Sequence, residues 1–237
     1  MIDYYAQRAQ EYERIYEKPE RQEDLQFLRQ FVEQQFAGHH VLEIACGTGY
    51  WTQVLADTAE SVLATDINDE VLEVARSKSL PSSKVRFARE DAYSIPVHPE
   101  TFTAGLSVFW WSHVPRIRLS RFLDGFHAAL SDGARVLFID NVYVEGSSTP
   151  ISRTDASGDT YQNRRLQDGS QHEVLKNFPT NSDLRSAVAG SAVDIEVRFL
   201  RYYWILSYTV RLPAHRPEVQ ISPRPRKLRS VRGGADS

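Results

Sequence analysis

An α/β fold with a doubly wound, largely parallel sheet is predicted by three features of the sequence. Apolar runs of strand length alternate with segments of helical periodicity between residues 41 and 142. The first run, residues 41–45, passes into the glycine turn Gly47-Thr48-Gly49, and the second, residues 62–65, ends in Asp66. Strands separated by helices indicate a parallel sheet with helices on both faces, and a glycine turn after the first strand lets a ligand approach the backbone.

Residues 1–38 are predicted to form a helical lead-in to this sheet. Tyrosines recur at helical spacing at Tyr5, Tyr12 and Tyr16, and a second apolar stripe runs from Leu25 to Phe36. The tyrosines either pack in the core or meet a ligand through their hydroxyl groups, and the spacing does not decide between the two.

The alternation continues past Asp66. Asn68 is placed to cap a helix, and residues 85–88 predict the third strand. Residues 102–109 predict the fourth strand, followed by an amphipathic helix over residues 119–130 that stops at Ser131-Asp132-Gly133. Residues 135–142 predict the fifth strand.

The segment of residues 145–170 interrupts the pattern. It is rich in Ser, Thr, Asp and Gly, and long loops of this kind are usually functional or mobile. A turn is expected at residues 163–169 and a strand at residues 172–178. A helix at residues 180–190 and a strand pair at residues 193–200 and 203–210 then close a single domain of residues 1–212.

Composition bounds the class of protein. The chain has 237 residues, of which 41% are hydrophobic and 25% charged, as in soluble globular proteins. The amino terminus lacks a secretory-signal pattern, and no apolar run reaches the roughly 18 residues of a membrane span. A single cysteine, Cys46, suits a reducing compartment. We therefore expect a cytoplasmic protein without a membrane partner.

Charge is distributed unevenly along the chain. Residues 213–237 carry six basic and two acidic residues, although the whole chain has a net charge of −3. The body is therefore acidic, which argues against a nucleic-acid partner. The basic tail contains too few apolar residues to bury a core, and we expect it not to fold.

The residues of the glycine turn distinguish between classes of nucleotide-binding protein. A dinucleotide fingerprint requires a third glycine where this chain has Thr52, and no phosphate-binding loop is present. The remaining pattern, E-x-A-x-G-x-G from Glu43 to Gly49 followed by Asp66, resembles motif I of the class I S-adenosylmethionine (SAM) methyltransferases. The resemblance spans roughly residues 41 to 140. It implies a Rossmann-like, seven-stranded sheet, a lid insertion after strand five, and SAM as cofactor, with no metal.

This resemblance also implies which residues bind SAM. The residues around the glycine turn would line the methionine moiety, Asp66 would accept hydrogen bonds from the ribose, and Asp91 would accept from the adenine amine. The expected set is Tyr5, Glu43, Ala45, Gly47, Gly49, Trp51, Asp66, Ile67, Asp91, Ala92 and Phe109.

Candidates for binding the methyl acceptor follow strands four and five. His113 is either a general base or a structural hydrogen-bond partner. Trp110 and Tyr16 are candidates to wall the acceptor pocket. Arg164, Arg165 and Lys176 either clamp an anionic group or are solvated surface charges.

A closer similarity covers residues 47–52, 111–115, 164–169 and 174–176. These segments are similar to the phosphonate O-methyltransferases of dehydrophos-type antibiotic biosynthesis. The similarity implies an anion site that includes Lys176, one of the paired arginines and an amino-terminal tyrosine. The composition of the insertion and the basic tail depart from that pattern.

The predicted function is direct, in-line methyl transfer from SAM to an oxygen of a small anionic molecule, a phosphonate or a carboxylate. Such an oxygen is ionised at neutral pH and needs no base. The alternatives are methyl transfer to nitrogen or sulfur of a small metabolite, methylation of a macromolecule, or SAM binding without turnover. The sequence leaves open the identity of the acceptor and whether the protein is a monomer or a homodimer.

Overall fold

The fold is described from a computed structural model that covers Tyr4, Tyr5 and residues 8–98 and 101–212. The predicted basic tail, residues 213–237, lies outside the described residues. The helical lead-in contains two 3-10 helices, Ala9–Tyr16 and Pro19–Arg21, ahead of the first α-helix. The described residues form five α-helices: α1 (Gln22–Phe36), α2 (Tyr50–Thr58), α3 (Asp69–Ser77), α4 (Leu119–Ala128) and α5 (Asn181–Val188).

Ten strands are present in the described part of the chain, and they form two sheets. In chain order they are β1 (His40–Ile44), β2 (Ser61–Asp66), β3 (Val85–Arg89), β4 (Phe102–Val108), β5 (Leu130–Asn141), β6 (Arg153–Thr154), β7 (Thr160–Arg165), β8 (Gln171–Leu175), β9 (Ala192–Phe199) and β10 (Tyr203–Val210).

The larger sheet has seven strands in the order β3-β2-β1-β4-β5-β10-β9. Strands β1 to β5 pair in parallel, and β10 runs antiparallel to both β5 and β9. The seven-stranded, doubly wound sheet predicted from the sequence is therefore confirmed. The strand order reverses between β1 and β4, because β2 and β3 lie on one side of β1 and β4 and β5 lie on the other. Open α/β sheets bind their ligands at such a point.

Apolar side chains cover both faces of this sheet. Along β1, Val41 packs into one core cluster while Leu42 and Ile44 pack into the other. This division follows from the alternation of side chains along a strand, and it explains why the central strands read as continuous apolar runs. At Gly105 of β4 an added Cβ would lie 2.6 Å from the ring of Phe126, so only glycine lets α4 pack this closely.

The segment after β5 is more regular than its composition predicts. Strands β6, β7 and β8 form a separate antiparallel sheet within residues 153–175. The prediction of a turn over residues 163–169 is wrong for its first three residues, which belong to β7 and pair with β8. The predicted strand at residues 172–178 ends at Leu175. The polar residues of this small sheet form strands because their backbone groups pair with neighbouring strands. This pairing depends on residues that are distant in sequence, so the local pattern of hydrophobicity does not reveal it.

Among the described residues, no helix combines the length and the apolar character that crossing a bilayer requires.

Candidate active site

Two cavities meet at the carboxyl ends of the parallel strands. The larger cavity has a volume of about 610 Å³ and the second, which we call the basic cavity, about 420 Å³. Four residues line both of them: Tyr5, Tyr12, Phe109 and His113. The two cavities therefore adjoin at these four side chains.

The larger cavity lies over the ends of β1, β2 and β4. Its position follows from the strand order, because the connections from these strands diverge above the sheet. Eight of the eleven residues that the sequence analysis assigned to SAM line this cavity: Tyr5, Ala45, Gly47, Asp66, Ile67, Asp91, Ala92 and Phe109.

Asp66, the last residue of β2, fastens the glycine turn to the neighbouring strand. Its Oδ2 accepts a hydrogen bond from the N–H of Gly47, and its Oδ1 accepts one from the N–H of Asn68, both at 3.0 Å. Burial raises the pKa of Asp66 above its ordinary value, although these backbone donors act in the opposite direction. The carboxylate thus reaches the cavity wall in a fixed orientation.

The other three residues assigned to SAM do not line the larger cavity. Glu43 is buried behind the glycine turn, where its carboxylate accepts a 2.6 Å hydrogen bond from the hydroxyl of Thr52. Burial raises the pKa of Glu43 to about 8. Trp51 packs in the core against Tyr16 and Tyr50. Gly49 has φ +76°, and an added Cβ there would lie 3.0 Å from that of Ala75, so this glycine permits close packing of α2 on α3.

A carboxylate and aromatic rings line another part of the larger cavity. Asp91 accepts the N–H of Tyr93 at 2.9 Å, and the ring of Tyr93 lies against Trp110 and beneath the guanidinium of Arg118. Trp110, which the sequence analysis placed at the acceptor, lines the larger cavity and not the basic one. Tyr93 and Arg118 were missed, since nothing local in the sequence marks them.

His113 is held in one tautomer on the shared wall. Its Nδ1 lies 2.6 Å from the carbonyl oxygen of Leu175, which can only accept, so Nδ1 carries the proton. Its Nε2 therefore accepts a hydrogen bond from the hydroxyl of Tyr5, at 2.7 Å. Burial lowers the pKa of His113 well below 6.5, and the nearby cations Lys176 and Arg164 lower it further. The ring is neutral, and its lone pair is occupied by Tyr5.

Two residues at the strand ends adopt strained backbone conformations. Ala45, just past β1, has φ 53°, and Phe109, just past β4, has φ 62°. Non-glycine residues reach this left-handed region at a cost of about 1–3 kcal/mol, and such strain concentrates at functional sites. Both residues line the larger cavity, where their backbone conformation turns the chain away from the sheet.

The basic cavity is lined by seven basic residues and by no aspartate or glutamate among the described residues. Three of the seven were identified from the sequence and four were not. The full set is Arg8, Arg14, Lys18, Arg21, Arg164, Arg165 and Lys176. Arg14, Lys18 and Arg21 recur at spacings of four and three, the helical periodicity that could have revealed a basic face on the lead-in.

Lys176 differs from the other six because its charge is already paired. Its Nζ donates to Oδ1 of Asp140 at 2.8 Å and to the hydroxyl of Ser112 at 2.6 Å. Burial lowers the pKa of Lys176 to about 8, even though Asp140 favours the protonated form. Arg164, by contrast, donates to the side-chain oxygen of Gln162, at 2.9 Å from Nη2, and within the described part of the chain it has no carboxylate partner.

The tyrosines of the lead-in divide between ligand cavity and core. Tyr5 and Tyr12 line both cavities. Tyr16, which the sequence analysis assigned to the acceptor, lines neither cavity and instead stacks on Tyr50 with ring centres 3.6 Å apart. A 3-10 helix has three residues per turn, so residues four apart point about a third of a turn away from each other. This geometry directs Tyr12 and Tyr16 to different sides.

Comparison with known proteins shows which proteins the chain resembles. A model of the methyltransferase domain matches residues 41–133. One curated relative is demethylmenaquinone methyltransferase of Clavibacter sepedonicus, which is 30% identical over 53% of this chain and 48% of that protein. Another is O-methyltransferase cnsE of Penicillium expansum, which is 29% identical over 44% of this chain and 39% of that protein. The chain thus spans about half or less of the curated relatives that it matches.

Solved structures extend the similarity to almost the whole described chain. DhpI in complex with SAH is 25% identical, with a TM-score of 0.70 over 89% of this chain and 95% of that one. The complex of DhpI with SAM and HEP has a TM-score of 0.71 and is 24% identical, over 87% and 94%. Residues 41–133 therefore form a methyltransferase domain, and the chain has the fold of the class I S-adenosylmethionine-dependent methyltransferases and resembles DhpI.

Proposed function

We propose that this protein transfers the methyl group of SAM to an oxygen of a small anionic acceptor. The observation that carries the proposal is the shared wall of Tyr5, Tyr12, Phe109 and His113. On one side of it lies a cavity lined by eight of the eleven residues expected to bind SAM, and on the other a cavity lined by cations. Two reactants held there would meet at these four residues, as direct transfer requires.

The larger cavity fits SAM. Asp66 and Asp91 offer carboxylate acceptors for the ribose hydroxyls and the adenine amine, while Ile67, Val71 and Val108 give apolar contact. SAM would supply an activated methyl group on a sulfonium. The residues of the chain would hold this group at the shared wall and exclude water from it.

The basic cavity supports an anionic acceptor. Within the described residues, six of its seven cations have no carboxylate within 4.0 Å. Arg164 is placed to bind a phosphonate or carboxylate close to His113, since a guanidinium binds such groups through paired N–H donors. In this proposal the lysine of the expected anion site, Lys176, acts mainly as part of the cavity floor.

The state of His113 supports an acceptor that is already ionised. An ionised oxygen attacks the methyl carbon as the carbon–sulfur bond breaks, and the electron pair of that bond remains on sulfur. No proton has to be removed, so no general base is required. A neutral hydroxyl or ammonium acceptor would need one, but the lone pair of the His113 ring is occupied by Tyr5. The role assigned to His113 is therefore to position the Tyr5 hydroxyl.

Residues 145–170 are proposed to cover the bound acceptor. Ser147, Ser148 and Thr149 of this segment line the basic cavity, and Ser147 accepts hydrogen bonds from Lys18 and Arg21 of the lead-in. Slower amide exchange at residues 147–149 when SAH and acceptor are both bound, relative to SAH alone, would support this role. Equal exchange in the two states would reduce the segment to a fixed wall.

An acceptor screen tests the proposed function. The protein would be incubated with SAM and a panel of phosphonates, carboxylates, phenols and amines, and SAH would be quantified by mass spectrometry. The proposal predicts SAH formation only with phosphonates or carboxylates. Turnover of amines alone would favour nitrogen methylation, and SAH binding without turnover of any acceptor would favour a non-catalytic SAM-binding protein.

A further inference from the structure

The basic cavity carries more positive charge than one anionic group neutralises. Six of the cations that line it have no ion-pair partner among the described residues. A phosphonate or carboxylate brings one or two negative charges at neutral pH. Unpaired cations in a partly enclosed cavity lose hydration and repel one another, so this surplus has a cost that a ligand can offset.

Arg21 is the most buried of the six unpaired cations. Its side chain is only 8% exposed, and its Nε–H has no hydrogen-bond partner among the described residues. Nη2 donates to the hydroxyl of Ser147 at 3.1 Å, and the guanidinium carbon lies 5.2 Å and 5.7 Å from the ring centres of Tyr202 and Tyr203. Buried arginines normally satisfy their N–H groups with a carboxylate or backbone oxygen. Because Arg21 lines the cavity, an anion bound there would give its guanidinium a charged acceptor.

Lys18 lies beside Arg21 on the same side of the cavity. Its Nζ donates to the carbonyl oxygen of Ser147 at 3.3 Å, and its pKa is lowered by burial and by the charge of Arg21. Glu20 accepts a hydrogen bond from the Ser147 hydroxyl at 3.1 Å, but it is exposed and does not line the cavity. Its charge is therefore screened by solvent and compensates Lys18 and Arg21 only weakly.

The cations divide into two groups. Lys176 donates to the hydroxyl of Ser112, next to His113 in the chain, and Arg164 acts on the pKa of His113, whereas Lys18 and Arg21 both donate to Ser147. Arg164 and Lys176 thus form a proximal group at the shared wall. Lys18 and Arg21, with Ser147, form a distal group. Arg21 also acts on the pKa of Lys176, so the two groups are within electrostatic reach of each other.

We propose that the methyl acceptor carries two separate anionic groups. One group presents its oxygen at the shared wall near Arg164, and the other is bound by the distal group of Lys18, Arg21 and Ser147. This inference rests on the proposed function and specifies its substrate class: a short chain with a phosphonate, phosphate or carboxylate at each end. The methyl group adds to the proximal oxyanion as the sulfonium becomes a neutral thioether, and the distal anion is unchanged.

Matched ligands test the inference on the protein saturated with SAH. Phosphonoacetate, phosphonopropionate and phosphonobutyrate carry two anionic groups at three separations. Ethyl-, propyl- and butylphosphonate replace the carboxylate by a methyl group. Calorimetry should show that at least one two-anion ligand binds about 10-fold or more tightly than its one-anion counterpart, the value of a charge-assisted contact.

Variants assign the second anion to the distal group. Arg21→Gln should weaken the binding of the two-anion ligand about 10-fold more than that of its one-anion counterpart, with the affinity for SAH unchanged, and Arg21→Lys should keep part of the preference. Arg198→Gln is the matched control, because Arg198 also lies over an aromatic ring, 5.4 Å from the centre of Phe27, but lines neither cavity. It should keep the full preference.

Three results would overturn the inference alone while SAH binding stays intact. These are equal affinity within every pair of ligands, no binding of any of the six ligands, or equal weakening of both members of a pair by Arg21→Gln. Failure of the wild-type protein to bind SAH would instead overturn the proposed function, and this inference with it.

Discussion

Lys176 and Asp140 form a buried ion pair beneath the basic cavity. Lys176 Nζ lies 2.8 Å from Oδ1 of Asp140, and the two side chains are 4% and 0% exposed. The carboxylate also accepts the backbone N–H of Ser112 and of Asn141, at 2.9 Å and 2.7 Å. The pair therefore joins the end of β5 to the 3-10 helix after β4 and to the chain after β8. It thereby fixes that 3-10 helix, Trp111–His113, whose last residue belongs to the shared wall.

Removing one partner of this pair should destabilise the fold. Lys176→Met leaves the Asp140 carboxylate buried without a counter-charge, and we expect the free energy of unfolding to fall by about 3–5 kcal/mol. Urea unfolding would measure the change. The double variant Lys176→Met/Asp140→Asn should recover most of the loss, because it removes both charges. A single variant as stable as the wild type would show that the pair is not a structural element.

Asp66→Asn should weaken the binding of SAH. The variant removes a charged acceptor from the larger cavity and weakens the hydrogen bond that fixes Gly47, for an expected cost of about 1.5–3 kcal/mol. Calorimetric titration with SAH would measure it. Asp69→Asn is the matched control, since Asp69 is exposed in the first turn of α3 and lines neither cavity. If the two variants bound SAH with equal affinity, Asp66 would not belong to the cofactor site.

Glu43 should make the stability of the fold depend on pH. Its pKa is raised by burial from 4.5 to about 8, so between these values the folded state holds a proton that the unfolded state has lost. The free energy of unfolding should therefore fall as the pH rises from 4.5 towards 8. In Glu43→Gln this decline should be smaller, whereas in the exposed control Glu60→Gln it should persist. Denaturant unfolding at several pH values in that range would measure this dependence. If the free energy of unfolding of Glu43→Gln fell with pH as steeply as that of the wild type, the expectation would be contradicted.

His113 should not appear as a base in the pH dependence of turnover. Its ring is already neutral around its ordinary pKa of 6.5, because burial and nearby cations lower the pKa well below that value. With a carboxylate acceptor, which is itself fully ionised around this pH, kcat/KM should therefore show no limb there. His113→Gln should lower kcat by less than the roughly 10²–10⁴-fold that removal of a general base costs. Complete loss of turnover in a folded His113→Gln protein would assign His113 a base role.

The parts of this structure that follow from local sequence were predicted correctly. The strands of the large sheet are apolar runs because both faces are covered, and the glycine turn and Asp66 sit at strand ends that the runs themselves define. Strand β7 escaped prediction because its polar residues are ordered by pairing with β8, which is not visible locally.

The acceptor side of the site depended on contacts between distant segments. Arg21 reaches the basic cavity because the lead-in folds over β10, where Tyr202 and Tyr203 support the guanidinium. The pairing of Lys176 with Asp140 joins residues 36 apart in sequence. Neither contact leaves a periodic signal. The sequence analysis identified three cations of the basic cavity and missed the four on the lead-in, although the helical spacing of Arg14, Lys18 and Arg21 marked a basic face there.

The central claim is that the methyl group of SAM is delivered to an oxygen of an anion in the basic cavity. Its most direct test is to incubate the protein with SAM labelled with carbon-13 in the methyl group, together with a phosphonate that supports SAH formation, and to record carbon and phosphorus NMR spectra of the product. The account predicts a labelled methyl ester whose carbon couples to phosphorus through oxygen, with turnover reduced about 10-fold or more in Arg164→Gln, the loss of a charge-assisted contact. A labelled methyl group on nitrogen, sulfur or carbon, or full activity of Arg164→Gln, would contradict it.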